Sequence, residues 1–426
     1  MKERIAIVDG LRSPIAKANG KLNDVSADTL GAIIIKELVL KNNLRYEQFD
    51  EVIIGNVAQP ANSANIARIM AIKAGFPQST PAYTVHRNCA SGMQSISSAI
   101  EKINSNQGDL YLVGGVESMS NIPLLYSDEL RNLITKFTYA KSLTQKIKLL
   151  SSFRFGFLKP TIGLIAGLSD PISGKIMGIT AENLANEFKI SRLAQDEYAL
   201  NSHLKTQKAI ELGKFKDEIH PIMTKNASLL QDDGVRFNQT IEALSKLNPI
   251  FDRLSGTVTA GNSSQVSDGA CSLIVCTESK AKELNLEPLG FIKDYAYAGV
   301  DAHRMGLGPI YATKKLFDKS GVSLNDIDLI ELNEAFAAQV IANLKAFKSD
   351  SFCKKTFNSK ALGEIDESIL NVNGGAIALG HPVGMSGARI VLTALKELKR
   401  RNDKLGLAHF VLVADKVHLS YWRYKI

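Results

Sequence analysis

The stretch Cys89–Gly115, CASGMQSISSAIEKINSNQGDLYLVGG, decides how this sequence folds. Met93, Ile96, Ile100 and Ile103 recur at the spacing of one helix face, and Gly108 marks a stop. The LYLVGG that follows is an apolar run of strand length, the signature of a strand buried on both faces. A helix feeding straight into a buried strand is part of a βαβ unit, so the flanking sequence should supply the rest. RIAIVDG near the N-terminus reads as another buried strand. SADTLGAIIIKELVLKN reads as a helix opening on a Ser or Asp cap, and FDEVIIGNV as the next apolar strand. This alternation predicts an α/β chain with a largely parallel sheet.

The second half repeats the order in outline. IDLIELNEAF echoes FDEVIIGNV, GHPVGMSGARIVLTALKEL echoes NCASGMQSISSAIEKI, and FVLVA stands where LYLVGG stood. Two related halves are therefore expected: residues 1–120, with 250–280 returning to them, and 281–426. Residues 121–249, helical and polar, read as an inserted domain. A chain of 426 residues is long enough for more than one packed unit.

Composition narrows the class. The N-terminus has no apolar signal region, and no apolar run approaches the ~18 residues of a membrane span. The four cysteines form neither a disulfide framework nor a CxxC pair, which suits a reducing, cytoplasmic setting. Net charge is +8, and the excess is local: Arg131 to Ser169 holds seven Lys or Arg and no acid. No nucleic-acid reader motif accompanies it. The segment mixes Leu, Ile and Phe with Lys, as an interfacial segment does, and predicts contact with an anionic membrane surface or an acidic small molecule.

Three stretches carry chemistry. VHRNCASGMQS sets Cys89 at a strand-to-helix turn, where helix N–H groups and the dipole favour a thiolate and lower its pKa. Cys271 and Cys276, in ACSLIVC, read as core, and nothing marks Cys353. A cysteine nucleophile needs a base. Of seven histidines, His381 has the telling surroundings: glycines on both sides in NGGAIALGHPVGMSGAR let backbone approach a ligand closely. His86, His203, His220 and His303 have no comparable setting. NEAF, starting at Asn333, follows an apolar strand, so its polar groups sit at the carboxyl end where α/β sites form.

Taken together, NCASGMQS, GGVESMS, MGITAENLA, GTVTAGNSSQVSDGA, GLGPI, ELNEAFAAQ and NGGAIALGHPVGMSGAR resemble the thiolase family over residues 1 to about 408. The resemblance implies a duplicated, five-layered α/β/α/β/α fold with an inserted loop domain, and a homodimer or homotetramer. It implies cleavage of a 3-ketoacyl-CoA by CoA, or the reverse condensation, with CoA and acyl-CoA as substrates and neither a metal nor a permanently bound cofactor. Cys89 is implied as the acyl-carrying nucleophile and His381 as its activator and a holder of the thioester oxygen. Asn333 is implied to position a water in that oxyanion site. Ser264, Met177, Met305 and Phe336 match positions lining the pantetheine channel. Within the family, SDPISGKIMGITAENLA and QVIANLKAFKSDSF look most like the β-oxidation type that joins a hydratase/dehydrogenase subunit. That type carries a membrane-associating insertion where residues 131–169 stand, which implies a place at the inner face of a membrane. Asn333 departs from that type, which has His there, and instead matches biosynthetic acetoacetyl-CoA thiolases. A catalytically dead acyl-CoA-binding subunit is a third alternative.

The C-terminus departs most. Thiolases end on a second catalytic cysteine in a pattern like T-L-C-I-G-G-G-Q-G. That cysteine protonates the acetyl-CoA carbanion, and a following glycine N–H completes a second oxyanion hole. Here GLA (406–408) leads into HFVLVADKV, with Val411 at the cysteine position. HFVLVADKV admits codons that, with one base added in front, spell T-L-C-I-G-G-G-Q-G. HLSYWRYKI then admits A-S-L-L-L-E-V and a stop. This points to a single-base deletion between the codons of Ala408 and His409. Loss of the acid is expected to cost about 10²–10⁴ in rate, and loss of an oxyanion donor about 10²–10³ more. FVLVA, apolar and β-branched, is still expected to form a strand.

Overall fold

The computed structural model describes residues 3–163, 167, 169–170, 173–225, 228–409 and 417–423, with backbone alone at 161–162 and 417–423. The strands are β1 (Ile5–Arg12), β2 (Ala16–Lys17), β3 (Glu51–Gly55), β4 (Ala82–Val85), β5 (Leu110–Ser118), β6 (Leu124–Leu125) and β7 (Thr161–Ile162). They continue as β8 (Ile222–Met223), β9 (Ser228–Leu229), β10 (Ser267–Thr277), β11 (Gly290–Ala298), β12 (Leu329–Leu332), β13 (Leu405–His409) and β14 (Val417–Arg423). The main sheet runs β12-β13-β14-β11-β1-β10-β5-β3-β4, with β2 beside β10.

The expectation of a largely parallel sheet is corrected. β3 is parallel to β4 and β5, and β12 to β13. β10 runs antiparallel to both β1 and β5, and β14 antiparallel to both β11 and β13. Continuous apolar runs report burial on both faces, and β5 and β10 are buried along their whole length. Helices cover these antiparallel strands on both sides, so composition could not reveal direction.

The internal duplication is visible in the pairing. In the N-terminal half, β3 and β5 are parallel, followed by antiparallel β10 and β1. In the C-terminal half, β12 and β13 are parallel, followed by antiparallel β14 and β11. Leu370, bridged in parallel to Ile330, takes the place beside β12 that β4 takes beside β3. The counterpart of LYLVGG is LGLAH (β13), and FVLVA at 410–414 lies outside the described residues.

Five layers follow from which faces are apolar. Helices Ala27–Lys41 and Ile66–Ala74 pack through Ile34, Leu38 and Met70 onto one face of the N-terminal strands. Helices Ser91–Asn104 and Val383–Arg401 fill the centre through Met93, Ile96, Val391 and Leu395. Helices Gly308–Ser320 and Ala337–Phe347 cover the C-terminal strands through Ile310, Leu316 and Val340. The central position explains why Val383 to Leu398 is buried throughout. It also explains two glycines. A Cβ on Gly115 would lie 2.0 Å from the Gly384 carbonyl oxygen, and one on Gly92 would lie 2.7 Å from the Ala388 nitrogen. Only glycine lets the starts of the two central helices sit this close to β5 and to each other.

Residues 121–249 have two characters. Ala181, Leu184 and Ala185, on the Met177–Glu187 helix, join the core of the C-terminal half. Helices Asp128–Tyr139 and Leu143–Leu150 instead expose Ile134, Tyr139, Leu143, Ile147 and Leu150. Among the described residues, no helix is long and apolar enough to cross a membrane.

Candidate active site

Cys89 sits on a tight turn that launches the Ser91–Asn104 helix. Asn88 adopts φ 44°, a left-handed conformation that asparagine tolerates better than most residues. The Ser91 hydroxyl locks the turn, donating to the Asn88 carbonyl at 2.6 Å and accepting the Arg87 N–H at 2.8 Å. The turn aims the thiol into a cavity of about 230 Å³ that Val383 also lines. The expected lowering of the thiol pKa is opposed by burial, which pushes Cys89 up to about 12; the nearby Glu117 carboxyl adds to this, and a backbone hydrogen bond only partly offsets it. The resting nucleophile is a thiol.

His381 precedes the other central helix. Gly380, at φ 106°, turns the chain so that the His381 N–H reaches the Gln265 carbonyl at 3.0 Å. The Ser386 hydroxyl donates to the Pro382 carbonyl at 2.9 Å and lies 2.7 Å from Nδ1 of His381. With its own proton spent on Pro382, Ser386 accepts from Nδ1–H, which leaves Nε2 as the basic nitrogen. Burial, then the charge of Arg389, lowers the imidazole pKa to about 3, so it is neutral.

Glu117 ties the loop after β3 to the start of the helix that follows His381, a role that sequence reading missed even though GGVESMS was singled out. Its Oε2 accepts N–H groups from Gly384 at 2.9 Å and Val57 at 3.1 Å. Its Oε1 accepts from Ala58 at 3.1 Å and from Asn56 Nδ2 at 3.0 Å. The side chain is fully buried, and burial raises its pKa to about 7.

Asn333 follows β12, held by its N–H to the His409 carbonyl at 3.1 Å. Its amide is buried, and both polar atoms lack a hydrogen-bond partner among the described residues. A buried amide in that state is costly, which suits a group reserved for a water or substrate oxygen. Its neighbour Glu334 is structural, accepting from Tyr198, Ser202, Asn371 and the Ile377 N–H.

The four residues matched to the pantetheine channel lie together. Met177, Met305 and Phe336 form one apolar cluster, and the Ser264 N–H donates to the Ala335 carbonyl beside it. Met177 also lines the Cys89 cavity. Cys271, Cys276 and Cys353 are buried, with their thiols raised by burial. Val411 lies outside the described residues.

A neutral base of fixed tautomer, a thiol at a helix start and a reserved amide can together transfer an acyl group through a cysteine thioester. Comparison with known proteins agrees with this chemistry. The family model for the N-terminal domain of thiolase matches residues 5–279, and that for the C-terminal domain matches residues 286–415. The chain is 41% identical over 412 residues to a 3-ketoacyl-CoA thiolase of Photorhabdus laumondii, covering 95% of this chain and 93% of the relative. It is 40% identical over 409 residues to that of Yersinia enterocolitica, with the same coverage. Its fold is similar to the crystal structure of human mitochondrial 3-ketoacyl-CoA thiolase, with a TM-score of 0.86 and 34% identity over 100% of this chain and 99% of that one. It is equally similar to a Bacillus anthracis acetyl-CoA acetyltransferase, with a TM-score of 0.86 and 36% identity over 99% of each chain. The chain belongs to the thiolase family of acyltransferases.

Proposed function

We propose that this chain acts on 3-ketoacyl-CoA in fatty-acid β-oxidation, with Cys89 carrying the acyl group, and that its C-terminus impairs turnover. The observation that carries the reading is the close approach of the two central helix starts: a Cβ on Gly92, three residues after Cys89, would lie 2.7 Å from the Ala388 nitrogen and 3.0 Å from the Gly384 carbonyl oxygen, both just after His381. Nε2 of His381 takes the thiol proton as sulfur attacks the keto carbon. The oxyanion is held by the imidazole, once protonated, and by a water on Asn333. Collapse breaks the bond to the acetyl unit, whose carbanion needs a proton. CoA thiol then attacks the Cys89 thioester and releases the shortened acyl-CoA. Met177, Met305, Phe336 and Ser264 line the approach of the pantetheine arm.

The missing step is the protonation, because Val411 stands where the acid belongs. The reading therefore predicts that Cys89 is acylated by acyl-CoA while thiolysis of acetoacetyl-CoA is depressed by about 10⁴-fold or more, on the order of the combined losses. Intact mass after incubation with acetyl-CoA reports the first, and loss of the substrate enolate absorbance reports the second. Near-normal thiolysis by this chain would refute the impairment, and no acylation would refute the acyl carrier.

Two partner readings accompany it in a cytoplasmic setting. The β4 edge has no strand partner on its outer side among the described residues, which supports pairing with a second copy. The exposed apolar residues among the lysines of helices Asp128–Tyr139 and Leu143–Leu150 support peripheral contact with an anionic membrane, alongside a hydratase/dehydrogenase subunit. Co-sedimentation with anionic liposomes should fall when residues 131–159 are replaced by a short linker. Unchanged binding would sink the membrane reading.

A further inference from the structure

We infer that the cavity beside Cys89 is an acyl-chain chamber that selects straight chains of roughly eight carbons over four-carbon substrates, with Ile122 in its wall setting the length. This rests on the proposed role of Cys89 as acyl carrier.

Cys89 lines the cavity, and Val57, Met119, Ile122, Pro123 and Leu125 form its apolar walls. No lining residue carries a charge, so neither the nucleotide nor the diphosphate of CoA suits the space. Met177 borders this cavity and clusters with Met305 and Phe336, which do not border it. Met177 thus touches both the chamber and the residues assigned to the pantetheine approach.

The roof is the antiparallel β6/β7 pair, and it fits closely. A Cβ on Gly163 would lie 2.6 Å from the Pro123 carbonyl oxygen and 2.9 Å from Cγ2 of Ile122. Leu125, in its lining, is 48% exposed, so the chamber opens at the surface beside it. At about 30 Å³ for a water-sized group, a volume of about 230 Å³ accommodates roughly seven or eight carbons. A four-carbon acyl group would leave most of the apolar wall wet. Each further methylene buried is worth about fourfold in acylation, until the chain reaches the mouth and the gain stops.

The acylation half-reaction tests this without the second half-reaction. Cys89 sulfur bonds to the acyl carbon, the bond to CoA sulfur breaks, and the thiol proton passes through His381 to the released CoA. The full chain is incubated with subsaturating straight-chain acyl-CoAs of four, eight and twelve carbons, and the adduct on Cys89 is followed by intact mass. Acylation should be faster with eight carbons than with four by on the order of 10²-fold, then level at twelve. Ile122→Trp should collapse the eight-to-four ratio toward one, and Ile122→Ala should move the plateau to longer chains. A flat or falling profile in the unmodified chain overturns the inference, and so does an Ile122→Trp variant that folds and keeps the ratio. Acylation at no length overturns the acyl-carrier reading and this inference with it.

Discussion

The Glu117 carboxylate and the Gly384 N–H meet at 2.9 Å across the join between the two halves of the duplicated fold. Strand β5 contributes one partner and the start of the Val383–Arg401 helix the other. Because the same carboxylate gathers Asn56, Val57 and Ala58, it acts on the site through position. Glu117→Ala strands these donors in a buried space, and stability should fall by about 3–5 kcal/mol. Glu117→Gln keeps the shape but turns an NH₂ group toward N–H donors, so it should fold yet acylate at least tenfold more slowly. Thermal unfolding and acyl-adduct kinetics on the two variants check this. A Glu117→Gln variant that acylates normally would remove the positioning role.

Stability should pass through a maximum near pH 6. His203, His381 and His409 have pKa values lowered to about 4, 3 and 3, chiefly by burial. On acidification below 6.5 the unfolded chain binds their protons and the folded chain does not, so stability falls as pH drops. Glu117 and Glu331 are raised by burial to about 7 and 8. Between 4.5 and 8 the folded chain holds protons that the unfolded chain has lost, so their contribution falls as pH rises. The two carboxyls partly cancel the histidines down to about pH 4.5, and below that the acid limb steepens. Thermal midpoints from pH 4 to 8 measure this, and a monotonic rise to pH 8 would contradict it.

Ser386 should matter through the tautomer of His381. Ser386→Ala removes the acceptor of Nδ1–H and frees the ring to carry its proton on the catalytic nitrogen instead. Acylation of Cys89 should slow by about tenfold, against about 10²–10⁴ for His381→Ala. The thermal midpoint of Ser386→Ala should stay closer to that of the parent than the rate does. Equal fractional loss of fold and rate would make Ser386 merely structural.

Sequence reading reached the fold unevenly, for physical reasons. Helix faces repeat every three to four residues, so Met93, Ile96 and Ile100 announced the central helix directly. Strand direction leaves no such trace, and β10 was read without its antiparallel pairing because a strand covered on both faces looks the same either way. Cys89 stood out by its place at a strand-to-helix turn, and His381 by the glycines around it, of which Gly387 is forced by the close approach of the Cys89 helix at Met93. Glu117 did not, since a lone acid in an apolar strand says nothing about four donors converging from distant segments. Nor could position alone predict that burial outweighs the helix end at Cys89.

His409 carries the last prediction. It stands on β13 opposite Leu332, with its carbonyl on the Asn333 N–H and its ring about 6.2 Å from that of Phe347. The imidazole is buried, and neither nitrogen has a hydrogen-bond partner among the described residues. Leaving such a group unsatisfied costs about 1–3 kcal/mol. The re-phased reading of the codons places threonine here, a smaller group with one hydroxyl, two positions before the restored cysteine. A chain carrying T-L-C-I-G-G-G-Q-G-A-S-L-L-L-E-V after Ala408 should therefore be more stable by a similar amount. It should thiolyse acetoacetyl-CoA about 10⁴-fold faster or more. His409→Thr alone should recover part of the stability and none of the rate, and should flatten the acid limb by about one proton. Intact mass of the protein from its own source then tells which ending the cell makes. If the re-phased chain is no more stable and no more active than this one, the deletion is not what separates this sequence from a working thiolase.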